Sequence, residues 1–111
     1  MIVERSIDPR WLSNAYLVAD RSGGTAVFID SGAPVEPLLA AVDRLEVHPT
    51  YLLTTHAHAD HVVNHALLED RFGLRILASP EEEVAGAEPL GHGEVVEAGD
   101  LRIEALRTPG D

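Results

Sequence analysis

Three imidazoles and a carboxylate fall within six consecutive residues: His56, His58, Asp60 and His61. Half of the six histidines in the 111-residue chain stand here. Neutral imidazole and carboxylate suit Zn2+ and other borderline first-row metals better than Ca2+ or Mg2+. His56 and His58 are two apart, so on extended backbone they project to the same side. On a helix they would diverge by about 200° and could not share an ion. Asp60 and His61 are adjacent and diverge on any regular element. The stretch is therefore expected to run out of a strand into a loop just before a helix. Two such pairs suit two ions better than one. A helix N-cap without a metal role is the other reading of Asp60; the three histidines around it weigh against that.

Elements on both sides must hold this loop. Upstream, Tyr51-Leu52-Leu53-Thr54 is a short apolar run, expected to be a strand covered on both faces. Before it, Val35, Leu38, Leu39, Val42 and Leu45 recur at the spacing of one buried stripe, which predicts a helix over 34–45. Pro34 and Pro37 fit its first turn, where no amide partner is lost. Strands are expected at 2–7, 14–20 and 25–29, the last two joined by a hairpin at Gly23-Gly24. Strand, helix, strand in that order implies a crossover onto a sheet. Downstream, His61 opens a helix predicted over 62–72 and stopped by Gly73. Val63, Ala66 and Leu67 are expected to form its apolar side.

Further along, 74–78 reads as a strand, and Ser79-Pro80 before Glu81-Glu82-Glu83 as a helix start. Residues 85–93 read as a loop. Val95-Val96 and 101–106 read as a hairpin around Gly99-Asp100, the second strand alternating Leu101, Ile103 and Ala105. His65 is either a fifth ligand or an ordinary helix histidine, with the second favoured. His48 and His92 have loop explanations beside Pro49 and glycines. Asp30, before Ser31-Gly32, is either a turn aspartate satisfying local donors or a carboxylate that braces the metal loop.

The run Thr55-His56-Ala57-His58-Ala59-Asp60-His61 resembles the His-x-His-x-Asp-His motif of the metallo-β-lactamase superfamily. Asn14-Ala15-Tyr16-Leu17-Val18 resembles its early strand. Phe28-Ile29-Asp30-Ser31-Gly32 is similar to its Ile-Asp-x-Gly turn, and Thr108-Pro109-Gly110 to its Thr-Pro-Gly-His turn. The resemblance runs from about residue 14 to the last residue. It implies an α/β (α+β) fold, the αββα sandwich, with residues 1–111 forming only its N-terminal part. It also implies that His56 and His58 hold a first ion and Asp60 and His61 a second, with Asp30 near the site but not a ligand. The family's next histidine falls where this chain has Asp111, and its later ligands fall beyond that residue. The wording of the motif looks like the glyoxalase II-type thioesterases more than the secreted lactamases, and the iron-using persulfide dioxygenases share much the same motif.

Composition narrows the partners. Eight basic residues, all Arg, stand against nineteen acidic ones, a formal charge of −11. That balance argues against nucleic acid and anionic membranes. With no Lys there is no Schiff-base amine, and with no Cys there is no disulfide, thiolate nucleophile or Cys-ligated metal. Residues 1–10 lack the apolar run of a signal peptide, so a cytoplasmic address is expected.

The resulting expectation is a metal-dependent hydrolase of a small-molecule thioester or ester, similar to hydroxyacylglutathione hydrolase. It uses two Zn2+ ions, with iron or manganese as other candidates, and Asp60 orients the attacking water. An iron-dependent persulfide dioxygenase-like enzyme is the first alternative. A non-catalytic metal-binding half-domain that pairs with another chain is the second. A half-domain would leave an apolar sheet face open, which predicts a homodimer through that face.

Overall fold

The computed structural model describes residues 1–7, 14–30, 34–54, 65–78, 87–91 and 93–104. Five strands and two helices build the frame: β1 (Ile2–Ile7), β2 (Asn14–Ala19), β3 (Thr25–Ile29), α1 (Glu36–Leu45), β4 (His48–Thr54), α2 (His65–Phe72) and β5 (Arg75–Ala78). Three short strands follow: β6 (Glu88–Pro89), β7 (Val95–Ala98) and β8 (Leu101–Glu104). The larger sheet runs β1-β2-β3-β4-β5-β6 in space, and β7-β8 form a separate pair. Strands β1, β2 and β3 pair antiparallel, and β3, β4, β5 and β6 parallel. The sheet is thus a meander that turns into crossovers, and the residues of the metal motif follow the C-terminal end of β4.

Strand alternation separates two cores. On one face, Leu17, Ala26, Phe28, Leu52 and Ile76 pack with Val35, Leu38 and Val42 before and within α1 and with Leu68 of α2. Helix α1 lies against β1 and β2, and α2 against β4 and β5. The Phe28 and Phe72 rings meet with centroids 5.7 Å apart, tying α2 to the middle of the sheet. On the other face, Val18 and Val27 pack with Ala98 and Leu101, and Leu53 and Leu77 with Val96. The order of layers is therefore helices, large sheet, small sheet. Leu52 and Leu53 fill opposite cores, as a strand covered on both faces requires. The small sheet covers the centre of the face expected to stand open. At the β1 edge of that face Val3 remains 50% exposed and Ile7 41%.

The helix predicted over 34–45 forms at Glu36–Leu45 with Pro in its first turn. It ends at Glu46 in the left-handed region, φ 56°. Helix α2 ends at Gly73, whose φ of 66° suits the residue after a helix, and whose N–H donates to the Glu69 carbonyl at 2.8 Å.

Two expectations need correction. The apolar side of α2 is not Ala66 and Leu67. Both are exposed, Leu67 by 46%, while His65 and Leu68 are buried and Phe72 half-buried. Positions 65, 68 and 72 form one stripe, turned inward by the contacts of His65 with Thr54 and of Phe72 with Phe28. The loop expected over 85–93 contains β6, which pairs in parallel with β5. Two residues with a Pro at a sheet edge give no period to read. The pairing is reinforced from outside the pattern: the Arg75 guanidinium donates two hydrogen bonds to Glu88, at 2.7 and 2.6 Å. The helix start at Ser79-Pro80 and Ala105 lie outside the described residues.

Candidate functional site

Residues 55–64, and with them His56, His58, Asp60 and His61, lie outside the described residues, as do His92 and Asp111. What the structure describes is the frame on either side of that stretch. Among the described residues no group of three or more His, Asp or Glu is gathered closely enough to hold a metal ion.

Strand β4 delivers the chain to the motif between two parallel neighbours. Leu53 pairs with Ile29 on one side and Leu77 on the other, and Thr54 pairs with Ala78. The C-terminal ends of β3, β4 and β5 therefore converge beside the motif. Ligands in open parallel sheets gather at this end of the strands.

Asp30 stands at this end, directly after β3. It is 6% exposed, its φ is 61°, and its N–H donates to the Leu53 carbonyl at 2.8 Å. Asp tolerates the left-handed region better than most residues. The turn reading of Asp30 thus has a backbone basis, and its burial beside the last residues of β4 keeps the bracing reading open.

His65 opens the described part of α2, 7% exposed. Its Nε2 lies 3.1 Å from the hydroxyl of Thr54, which is 5% exposed. His65 is thus packed against the end of β4. Thr54, however, entered the sequence reading only as the end of an apolar run. A hydroxyl closing a strand buried on both faces is the signal that could have marked it, since a buried hydroxyl needs a partner. His48, the first residue of β4, is exposed at the opposite end of the strand.

That opposite end carries a second polar centre. Asp20 Oδ1 accepts hydrogen bonds from the N–H groups of Arg21 at 2.7 Å and Thr25 at 2.9 Å. Its Oδ2 accepts from the Asp100 N–H at 3.0 Å. The Asp100 N–H in particular, with the other two donors and the Arg21 charge, holds the Asp20 carboxyl below its usual range. The β2–β3 hairpin is thereby tied to the β7–β8 turn, at the end of the sheet opposite the C-terminus of β4. Glu88 is likewise held low by Arg75, on the exposed sheet edge.

The family model of the metallo-beta-lactamase superfamily matches residues 8–111. A hydroxyacylglutathione hydrolase from Mesorhizobium japonicum is 46% identical over 99 residues, covering 85% of this chain and 38% of that protein. The crystal structure of ETHE1 from Myxococcus xanthus has a TM-score of 0.80 at 28% identity, over 94% of this chain and 47% of that one. A metallo-beta-lactamase from Staphylococcus aureus shares the fold, with a TM-score of 0.80 at 19% identity, over 98% of this chain and 34% of that one. The chain spans less than half the length of each. With the family match running over nearly its whole length, and the layers of helices and two sheets in place, the chain belongs to the metallo-beta-lactamase superfamily.

Proposed function

We propose that this chain is the N-terminal, metal-binding part of a hydrolase that cleaves a small-molecule thioester, in the manner of the hydroxyacylglutathione hydrolases it resembles. The observation that carries the reading is 46% identity to one such enzyme over 99 residues, a span that includes the motif His56, His58, Asp60 and His61. The donor set fits the cofactor. Three imidazoles and a carboxylate in a chain without Cys suit zinc, and iron or manganese after it.

In this reading His56 and His58 hold one ion and Asp60 and His61 a second. When bound, such ions acidify water and polarise a carbonyl. Asp60 orients the attacking water and accepts its proton. Water oxygen adds to the carbonyl carbon, the C–S bond breaks, and the products are a carboxylic acid and a thiol. The net charge of −11 favours a small-molecule substrate over nucleic acid and a place in the cytoplasm over a membrane surface. No helix among the described residues is long and apolar enough to cross a membrane.

An iron-dependent persulfide dioxygenase-like enzyme is the second reading. The ETHE1 likeness, at 28% identity and a TM-score of 0.80, is compatible with it, but the identity to the hydrolase is higher. Metal content and activity separate the two. Zinc together with hydroxyacylglutathione hydrolysis supports the first. Iron together with oxygen consumption on a persulfide supports the second. His58→Ala should lower metal occupancy strongly, while His92→Ala should leave it unchanged. Equal effects of the two would overturn the ligand assignment.

A further inference from the structure

The hydrogen bond between Thr54 and His65 joins residues eleven apart in sequence. One is the last residue of β4 and the other the first residue of α2. Between them lies the whole proposed metal loop. Both side chains are more than nine-tenths buried, on the face where Leu52, Leu68 and Ile76 form the apolar core. Packing alone does not call for polar groups there. Val and an apolar residue of similar volume would fill the same space without burying a hydroxyl and an imidazole. What the polar pair adds is direction, because a buried hydrogen bond fixes separation and orientation where apolar contact fixes only proximity.

We propose that Thr54 and His65 are positioning residues for the metal site. Their hydrogen bond clamps the strand end to the helix start, so that the four donors of the intervening loop are held in a ligating arrangement before an ion arrives. The inference rests on the assignment of His56, His58, Asp60 and His61 as ligands. His65 acts here through the loop ends, with its Nε2 turned to the Thr54 hydroxyl.

The test is zinc affinity, read by competition with a chromophoric chelator, beside thermal unfolding of the metal-free chain. Thr54→Val keeps the shape and removes the hydroxyl; Thr54→Ser keeps the hydroxyl. Thr54→Val should weaken zinc binding by about 10- to 100-fold, the usual effect of losing a group that orients metal ligands. Thr54→Ser should bind close to wild type, and the metal-free melting temperatures of all three should agree within a few degrees. His65→Phe should weaken binding as Thr54→Val does. The double variant should be no weaker than the worse single, because both remove one bond. Wild-type affinity in Thr54→Val, or equal losses in the Val and Ser variants, would overturn the clamp. So would a fall in metal-free stability large enough to account for the lost affinity. His58→Ala run in parallel separates the two assignments. If it binds zinc like wild type, the ligand reading falls and the clamp with it. If it loses zinc while Thr54→Val does not, only the clamp falls.

Discussion

At one end of the six-stranded sheet Asp20 gathers three backbone N–H groups from the β2–β3 and β7–β8 turns. At the other, the side chains of Thr54 and His65 meet in a buried hydrogen bond where the chain enters and leaves the motif. The first centre is ionic and in contact with water, with Arg21 and Asp100 paired at its rim. The second is a hydroxyl and an imidazole, closed off among apolar side chains. Water can replace part of what Asp20 does, since an exposed group that loses one partner finds another in solvent. Water does not reach Thr54 to supply the direction that its hydroxyl gives the pair. The far end thus fixes how the two sheets lie together, and the near end fixes where the chain leaves and re-enters around residues 55–64. Substitutions at the far end should move stability with little change in zinc affinity. Those at the near end should move affinity.

The largest effect is expected from the side chain below the near-end pair. Leu68 is fully buried, one turn after His65 on the same face of α2. Leu68→Ala should cost about 2–5 kcal/mol in denaturant unfolding. Because α2 would settle differently, zinc affinity should fall as well. Leu67→Ala, at a position 46% exposed, should stay within about 0.5 kcal/mol of wild type. Equal losses at 67 and 68 would restore the sequence-based phase of the helix and contradict the observed one.

That helix shows where the sequence stopped being legible. The strands β1 and β3, the hairpin between β2 and β3, and α1 follow from local pattern, since alternation, glycine pairs and a long apolar stripe speak for themselves. The phase of α2 does not. Its stripe is a buried histidine, one leucine and a half-buried phenylalanine, and Ala66-Leu67 offer a competing apolar pair. Only the distant partners Thr54 and Phe28 decide which side turns inward. β6 is similar: Glu88-Pro89 becomes a strand through Arg75, thirteen residues earlier. For the candidate site, residue types and spacing pointed to metal chemistry, and the family resemblance supplied the roles. The proposed ligands His56, His58, Asp60 and His61 were visible as chemistry, and the proposed clamp at Thr54 and His65 was not, because Thr54 is polar by one atom in an apolar run.

At the far end, Gly99→Ala should have the next largest effect. Gly99 has a φ of 59°, and a Cβ there would stand 2.4 Å from Asp20 Oδ2 and 2.8 Å from the Thr25 side chain. Left-handed backbone alone costs a non-glycine residue about 1–3 kcal/mol, and the contact would push the Asp20 carboxylate off its donors. Unfolding should shift accordingly while zinc affinity stays near wild type. An affinity loss as deep as that of Thr54→Val would mean that the two ends are not separable.

Asp20→Asn should have the smallest effect, and its sign depends on pH. The folded carboxyl titrates below its usual value, chiefly because the Asp100 N–H donates to it. A carboxyl whose proton is held more weakly in the folded than in the unfolded chain adds stability above the unfolded value, about pH 4. That contribution disappears as pH falls from there through the folded value. Asn keeps one acceptor oxygen but replaces the other with a donor, so it cannot accept from both the hairpin and the Asp100 N–H. Asp20→Asn should therefore unfold more readily than wild type at pH 7, and the gap should close as the pH is lowered below about 4. A gap that stayed constant across that range would show that the corner holds by shape and not by charge. The contrast with the uncharged pair at Thr54 would then lose its basis.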